Sequence, residues 1–120
     1  MRLRVDAANS QTKNNYGLFL CQRNRGAEGI RYFLDAVKNP LYGTPDVAYK
    51  NAGLCARGMR DLAAAEEYFG RALQINPQQP QSLYSLADMR FARGDAQGAK
   101  VFMDRYMRTV NAGPEALWLA

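Results

Sequence analysis

Along residues 46–77 small and aromatic residues recur at helical spacing. Tyr49, Gly53, Ala56, Ala65, Phe69, Ala72 and Pro77 follow one another at separations of 4, 3, 9, 4, 3 and 5 residues. Steps of 3 and 4 keep each trio on one face of a helix, and the step of 9 leaves room for a turn. The pattern predicts helices over 46–58 and 61–75. Gly53, Ala65 and Ala72 let the two helices approach closely, while Phe69 fills the space between them. Asp61 suits an N-cap, and Pro77 ends the second helix because it has no amide hydrogen to donate. Val/Ile-rich strand runs are missing, so the pattern reads as all-α.

The same register appears twice more. In the third unit Leu83, Leu86, Ala87 and Arg90 take the places of Tyr49, Ala52, Gly53 and Ala56, and Gly94-Asp95 repeats the turn and cap. In the first unit Asn15-Tyr16-Gly17-Leu18 mirrors Asn51-Ala52-Gly53-Leu54, and Gly29, Phe33 and Ala36 mirror Ala65, Phe69 and Ala72, offset by 36 residues instead of 34. The extra length falls in 38–44, where Asn39-Pro40 and Gly43 mark a longer loop. Helices are predicted over 80–93 and 95–110, over 11–28, and near 27–39, the boundary between the last two lying around Arg23–Gly26.

This is the register of a tetratricopeptide repeat. It predicts a right-handed superhelix of about three antiparallel helix pairs with partial units at both ends. The expected units are the end of a preceding repeat and its turn (1–9), repeat one with its extended loop (10–45), repeat two (46–79), repeat three (80–113) and the start of a further repeat (114–120). Asp6-Ala7-Ala8-Asn9 stands where the inter-repeat turn belongs, and both ends look cut. The expected interior comprises Tyr16, Leu20, Phe33, Ala52, Ala56, Ala65, Phe69, Ala72, Leu73, Leu86, Ala99 and Met103.

Composition narrows the function. A hydrophobic share of 48% supports a core, and the charged share of 22% contains no long like-charge run. The net charge is +5, with 12 of the 16 basic residues Arg. These are dispersed, near the ends of predicted first helices at Arg23 and Arg25, Arg57 and Arg60, Arg90 and Arg93. There they complement the helix dipole and form no contiguous stripe for nucleic acid. With no His in the chain, mixed Cys/His zinc sites and His-based catalysis are unavailable within it. Glu66 and Glu67 are adjacent, about 100° apart on a helix, and so do not face one another as an acid/base pair. Asp61, Asp95 and Asp104 fit capping and solvated faces. Neither catalysis, nor a cofactor, nor a bound metal is expected.

The stripe beside the inward-facing knobs contains Asn14, Leu18 and Cys21 in the first unit, Lys50, Leu54 and Arg57 in the second, and Tyr84, Asp88 and Phe91 in the third. Each set has i, i+4, i+7 spacing and shares one helix face. Its mixed apolar and polar character suits a peptide-binding groove; packing between units is the alternative for Leu18 and Leu54. Cys21 lies on this stripe, whereas Cys55 falls about 100° from Leu54, nearer the helix contacts. The two cysteines need not face one another, and both are expected to be free thiols.

Several strings go beyond the general repeat. Asn14-Asn15-Tyr16-Gly17-Leu18-Phe19-Leu20-Cys21 and Phe33-Leu34-Asp35-Ala36-Val37 resemble the central repeats of the PilF/PilW-type pilotins. Tyr49-Lys50-Asn51-Ala52-Gly53-Leu54-Cys55, the run from Ala65 to Leu73 and the lengthened loop through Pro40-Leu41-Tyr42 do so too. The resemblance implies a type IV pilus biogenesis and stability protein, a lipoprotein on the periplasmic face of the bacterial outer membrane. Such proteins help the pilus secretin reach that membrane and form its ring, so the implied partner is the secretin. The family's lipid-bearing Cys follows a signal peptide and matches neither Cys21 nor Cys55, so any lipid anchor is expected upstream. The rival reading is a cytoplasmic tetratricopeptide adaptor or cochaperone that binds a partner's peptide segment. Leu18 and Leu54 stand where a polar carboxylate clamp would want Lys or Asn, although Lys50 could supply one charge.

Overall fold

The computed structural model describes residues 2–111, with side chains from residue 8 onward, and within them six helices and no strand. They are α1 (Arg2–Gln22), α2 (Gly26–Val37), α3 (Pro45–Gly58), α4 (Leu62–Ile75), α5 (Pro80–Ala92) and α6 (Ala96–Val110). They pair as α1/α2, α3/α4 and α5/α6, and each pair packs on the next through α2–α3 and α4–α5. This is the helical-repeat architecture expected from the register. The proposed further unit at 114–120 lies outside the described residues.

Within the first two pairs the approach is set by a glycine against a phenylalanine. A Cβ on Gly17 would stand 2.6 Å from the Phe33 ring, and one on Gly53 would stand 2.6 Å from the Phe69 ring. Phe33, Phe69, Ala36, Ala65 and Ala72 are fully buried. One core cluster gathers Phe33, Ala36, Tyr42, Ala48, Ala52 and Cys55, and a second gathers Ala56, Ala65, Phe69, Leu73, Leu83 and Leu86. Ile30 and Tyr68 pack against both clusters, which makes the interior continuous along the repeats. The long loop after α2 is part of that interior through Tyr42.

The three first helices end in the same way. Asn24, Arg60 and Gly94 take left-handed backbone (φ 62, 67 and 89°). The next residue's N–H then reaches back five residues, Arg25 to Leu20, Asp61 to Ala56 and Asp95 to Arg90, at 2.9 Å each. These are Schellman closures, which satisfy otherwise orphaned carbonyls at a helix end. Asp61 and Asp95 then cap α4 and α6, accepting from the Ala64 and Gly98 amides. Gln79 caps α5 ahead of Pro80, its side chain accepting from the Ser82 amide at 2.8 Å.

Four expectations require correction. Asp6–Asn9 is no turn, because α1 runs unbroken from Arg2; the sequence has neither Pro nor Gly before Gly17 to stop it. At its other end α1 stops at Gln22, well short of residue 28, since Asn24 supplies the left-handed position that a glycine search overlooks. Tyr16 is 43% exposed, whereas the equivalent Ala52 and Leu86 are buried. Those two lie in clusters with residues of α2 and α4, and no earlier helix pair covers Tyr16 among the described residues. Met103 is half-buried, as is Tyr106, which holds Tyr84 edge-on at 5.3 Å where the other pairs have a small residue.

Candidate functional site

The first helices α1, α3 and α5 stand side by side, and the nine stripe residues divide into three groups on them. The first group is structural. Asn14 is 2% exposed and accepts a hydrogen bond from the Asn51 Nδ2 at 3.2 Å, so a buried amide pair ties α1 to α3. Cys21 is disulfide-bonded to Cys55 across the first two pairs, with Cα atoms 5.8 Å apart. This overturns the free-thiol expectation. Its 100° offset from Leu54 turns Cys55 toward the preceding pair, where Phe33, Ala36 and Cys21 lie. A single-helix projection marks Cys55 as inward without saying which neighbour it meets.

The second group is charged. The Arg57 guanidinium pairs with the Asp88 carboxylate, joining α3 to α5 across the groove, and the Asp88 side chain remains half exposed. Lys50 is half-buried, and desolvation pushes its ammonium below the usual lysine range against the opposing pull of Asp46.

The third group is apolar and open. Leu54, Tyr84 and Phe91 are 42%, 50% and 71% exposed, and Leu18 is half-buried. Fully exposed apolar side chains scattered singly need no explanation, but these line three successive clefts. A cleft of about 710 Å³ lies between Leu18, the disulfide and Leu54. A second, of about 590 Å³, lies between Leu54, Arg57, Pro80, Tyr84 and Tyr106. The third, of about 340 Å³, lies between Tyr84, Asp88, Phe91 and Met103. Leu54 and Tyr84 are shared walls, so seven of the nine predicted residues fall on one open face; Asn14 and Lys50 line none of the three. Pro80, Tyr106 and Met59 also line it and were missed, because they come from the first position of α5, a second helix and a helix-ending turn, all outside the i, i+4, i+7 stripe. Among the described residues no group of three His, Cys, Asp or Glu could hold a metal ion. The face offers apolar contact, aromatic rings and guanidinium charge, which is the chemistry of binding a peptide segment.

Residues 56–118 match the tetratricopeptide repeat family, and the chain belongs to that family. It is homologous to the type IV pilus assembly protein PilF of Pseudomonas aeruginosa, at 31% identity over 104 residues, 87% of this chain and 41% of that protein. It superimposes on the crystal structure of PilW, a widely conserved type IV pilus biogenesis factor, with a TM-score of 0.76 and 36% identity, over 85% of this chain and 47% of that one. A structure from the functional characterisation of Pseudomonas aeruginosa PilF gives a TM-score of 0.77 at 30% identity, over 84% and 46%. The chain spans less than half the length of each of these relatives.

Proposed function

We propose that this chain is a non-catalytic protein-interaction module of type IV pilus biogenesis, which assists outer-membrane localisation and ring assembly of the pilus secretin. The observation that carries the reading is the open face of Leu54, Tyr84 and Phe91, aligned on neighbouring first helices and spared from the core, in a chain homologous to a pilus assembly protein. Aromatic and Arg side chains dominate interface hot spots, and this face presents Tyr84, Phe91 and Arg57 together.

The disulfide favours this reading over a cytoplasmic adaptor or cochaperone. Disulfides persist in the bacterial periplasm and are rare in the cytosol, where thiols are kept reduced, and Cys21 and Cys55 are joined. The proposed location is accordingly the periplasmic face of the outer membrane. No described helix is long and apolar enough to cross a membrane.

The test is capture of secretin by the full-length protein, comparing the parent with a Leu54→Glu/Tyr84→Ala/Phe91→Ala variant shown to fold by circular dichroism. Capture and secretin ring formation should both fall. If both are unchanged, secretin is not bound by this face.

A further inference from the structure

Arg57 stands where two clefts meet, and it lines both. On one side is the apolar cleft of Leu54, Pro80, Tyr84 and Tyr106. On the other is a cleft of about 570 Å³ bordered by Arg57, Arg60 and Arg93 over Leu62 and Met89. Its one lining carboxylate, Glu66, is already held by two guanidiniums, Arg90 at 2.7 Å and Arg93 at 3.1 Å. Arg60 is exposed and has no ion-pair partner among the described residues. It also occupies the left-handed turn position (φ 67°) that Asn24 and Gly94 fill in the other pairs. An arginine is a costlier occupant there than Gly or Asn, and a residue kept in a costly conformation points toward function.

Asp88 completes the picture. It is the one carboxylate on the stripe, it reaches Arg57 from the next helix pair, and its side chain is 53% exposed. An exposed ion pair of this kind exchanges with competing carboxylates at little cost.

We propose that this face recognises a linear protein segment in which an aromatic or aliphatic residue is followed within a few positions by two or more carboxylates. The apolar residue seats between Leu54 and Tyr84, and the acids lie on Arg57 and Arg60. In the unbound protein Asp88 stands in for the first of those acids. The inference deepens the proposed interaction role and rests on it. It adds the chemistry of the segment and an internal competitor for it. Planar guanidiniums suit carboxylates, and the apolar wall beside Arg57 selects for a side chain that a free anion lacks.

The experiment uses a phage-displayed library of random 12-residue peptides selected on the folded chain, then fluorescence anisotropy with the enriched peptides. Enriched peptides should carry Asp or Glu close to Leu, Ile, Phe, Trp or Tyr, and binding should weaken as NaCl is raised. Asp88→Asn should tighten binding by about three- to tenfold by releasing Arg57, while Arg57→Gln should weaken it by about tenfold or more. Arg60→Gly should weaken binding and at the same time raise the melting temperature, a combination that a purely structural role for Arg60 does not produce. Enrichment of peptides without acids, absence of any enrichment, or an Asp88→Asn variant that binds no tighter overturns the proposal. Acid-selective peptides alongside unchanged secretin capture by the Leu54/Tyr84/Phe91 variant would instead show that secretin is bound elsewhere on the protein and leave the recognition chemistry of this face standing.

Discussion

At the scale of the residue, three glycines in similar helical settings have different consequences. A Cβ on Gly53 meets the Phe69 ring at 2.6 Å, whereas one on Gly70 meets nothing within 4 Å. Gly53→Ala should therefore force α3 from α4 and cost about 1–3 kcal/mol, and Gly53→Leu should cost more. Gly70→Ala should stabilise by about 0.5–1 kcal/mol, because alanine forms helix better and here finds free space. Gly17 repeats the Gly53 situation against Phe33, with a ring atom at 2.6 Å. Phe69→Ala should cost about 3–5 kcal/mol through lost transfer and an unfilled cavity, since the ring is fully buried. Urea denaturation of the four variants checks the set; a Gly53→Leu or Phe69→Ala protein as stable as the parent would reject the assigned packing. These residues were legible in the sequence because size alone, small against large at fixed spacing, marks a close helix contact. Tyr16 was misjudged by the same logic, because burial at its position depends on a covering neighbour that side-chain size does not reveal.

At the scale of the element, helices α3 to α6 begin and end where punctuation is strong. Asp61 and Asp95 cap, Pro45 and Pro80 stand at the first helical position, and Gly94 closes α5. The first pair lacks such signals. Arg25 precedes α2 without a side-chain cap, and its guanidinium pairs instead with Glu28 at 2.6 Å, so the first helix was read too far downstream, to residue 28, although the boundary expected around Arg23–Gly26 does hold the turn. Asp61→Ala should cost about 1 kcal/mol by removing the cap of α4, measurable as a lower urea midpoint. The cap of α6 adds a pH dependence. The Gly98 amide foremost, then Arg90, holds the Asp95 carboxyl below its ordinary value of 3.8, and the Lys13 ammonium does the same for Asp35. A carboxyl depressed in the folded state contributes stability that is present above the unfolded value and lost as pH falls through the folded one. The parent should lose stability as the pH falls below about 4, and Asp95→Asn, which keeps an acceptor at the cap, should flatten part of that loss. An acid titration with the same slope in parent and variant would remove Asp95 as a contributor.

At the scale of the whole molecule, the repeats touch their neighbours in succession, and the described chain extends 47 × 34 × 22 Å. In such an array stability is approximately a sum of repeat and nearest-neighbour contributions, so a covalent link between neighbours has a local address. The Cys21–Cys55 bridge ties the α1/α2 pair to the α3/α4 pair and closes a loop of sequence separation 34. Chain entropy for a loop of that length gives a stabilisation of about 3–4 kcal/mol, chiefly through the unfolded state. It reinforces a junction that already holds the buried Asn14–Asn51 amide pair. The α3–α5 side of the next junction relies instead on the exposed Arg57–Asp88 ion pair, a kind of contact contributing at most about 1 kcal/mol. Reduction, or a Cys21→Ala/Cys55→Ala double variant, should therefore lower the urea midpoint, and it should do so unevenly. Amide hydrogen exchange should accelerate most in α1 and α2, whose tie to the remaining repeats is weakened, and least in α5 and α6. Equal midpoints with and without reductant would show that the bridge adds nothing to stability. A uniform loss of protection over all six helices would show that the array unfolds as one cooperative unit and that the link has no local address.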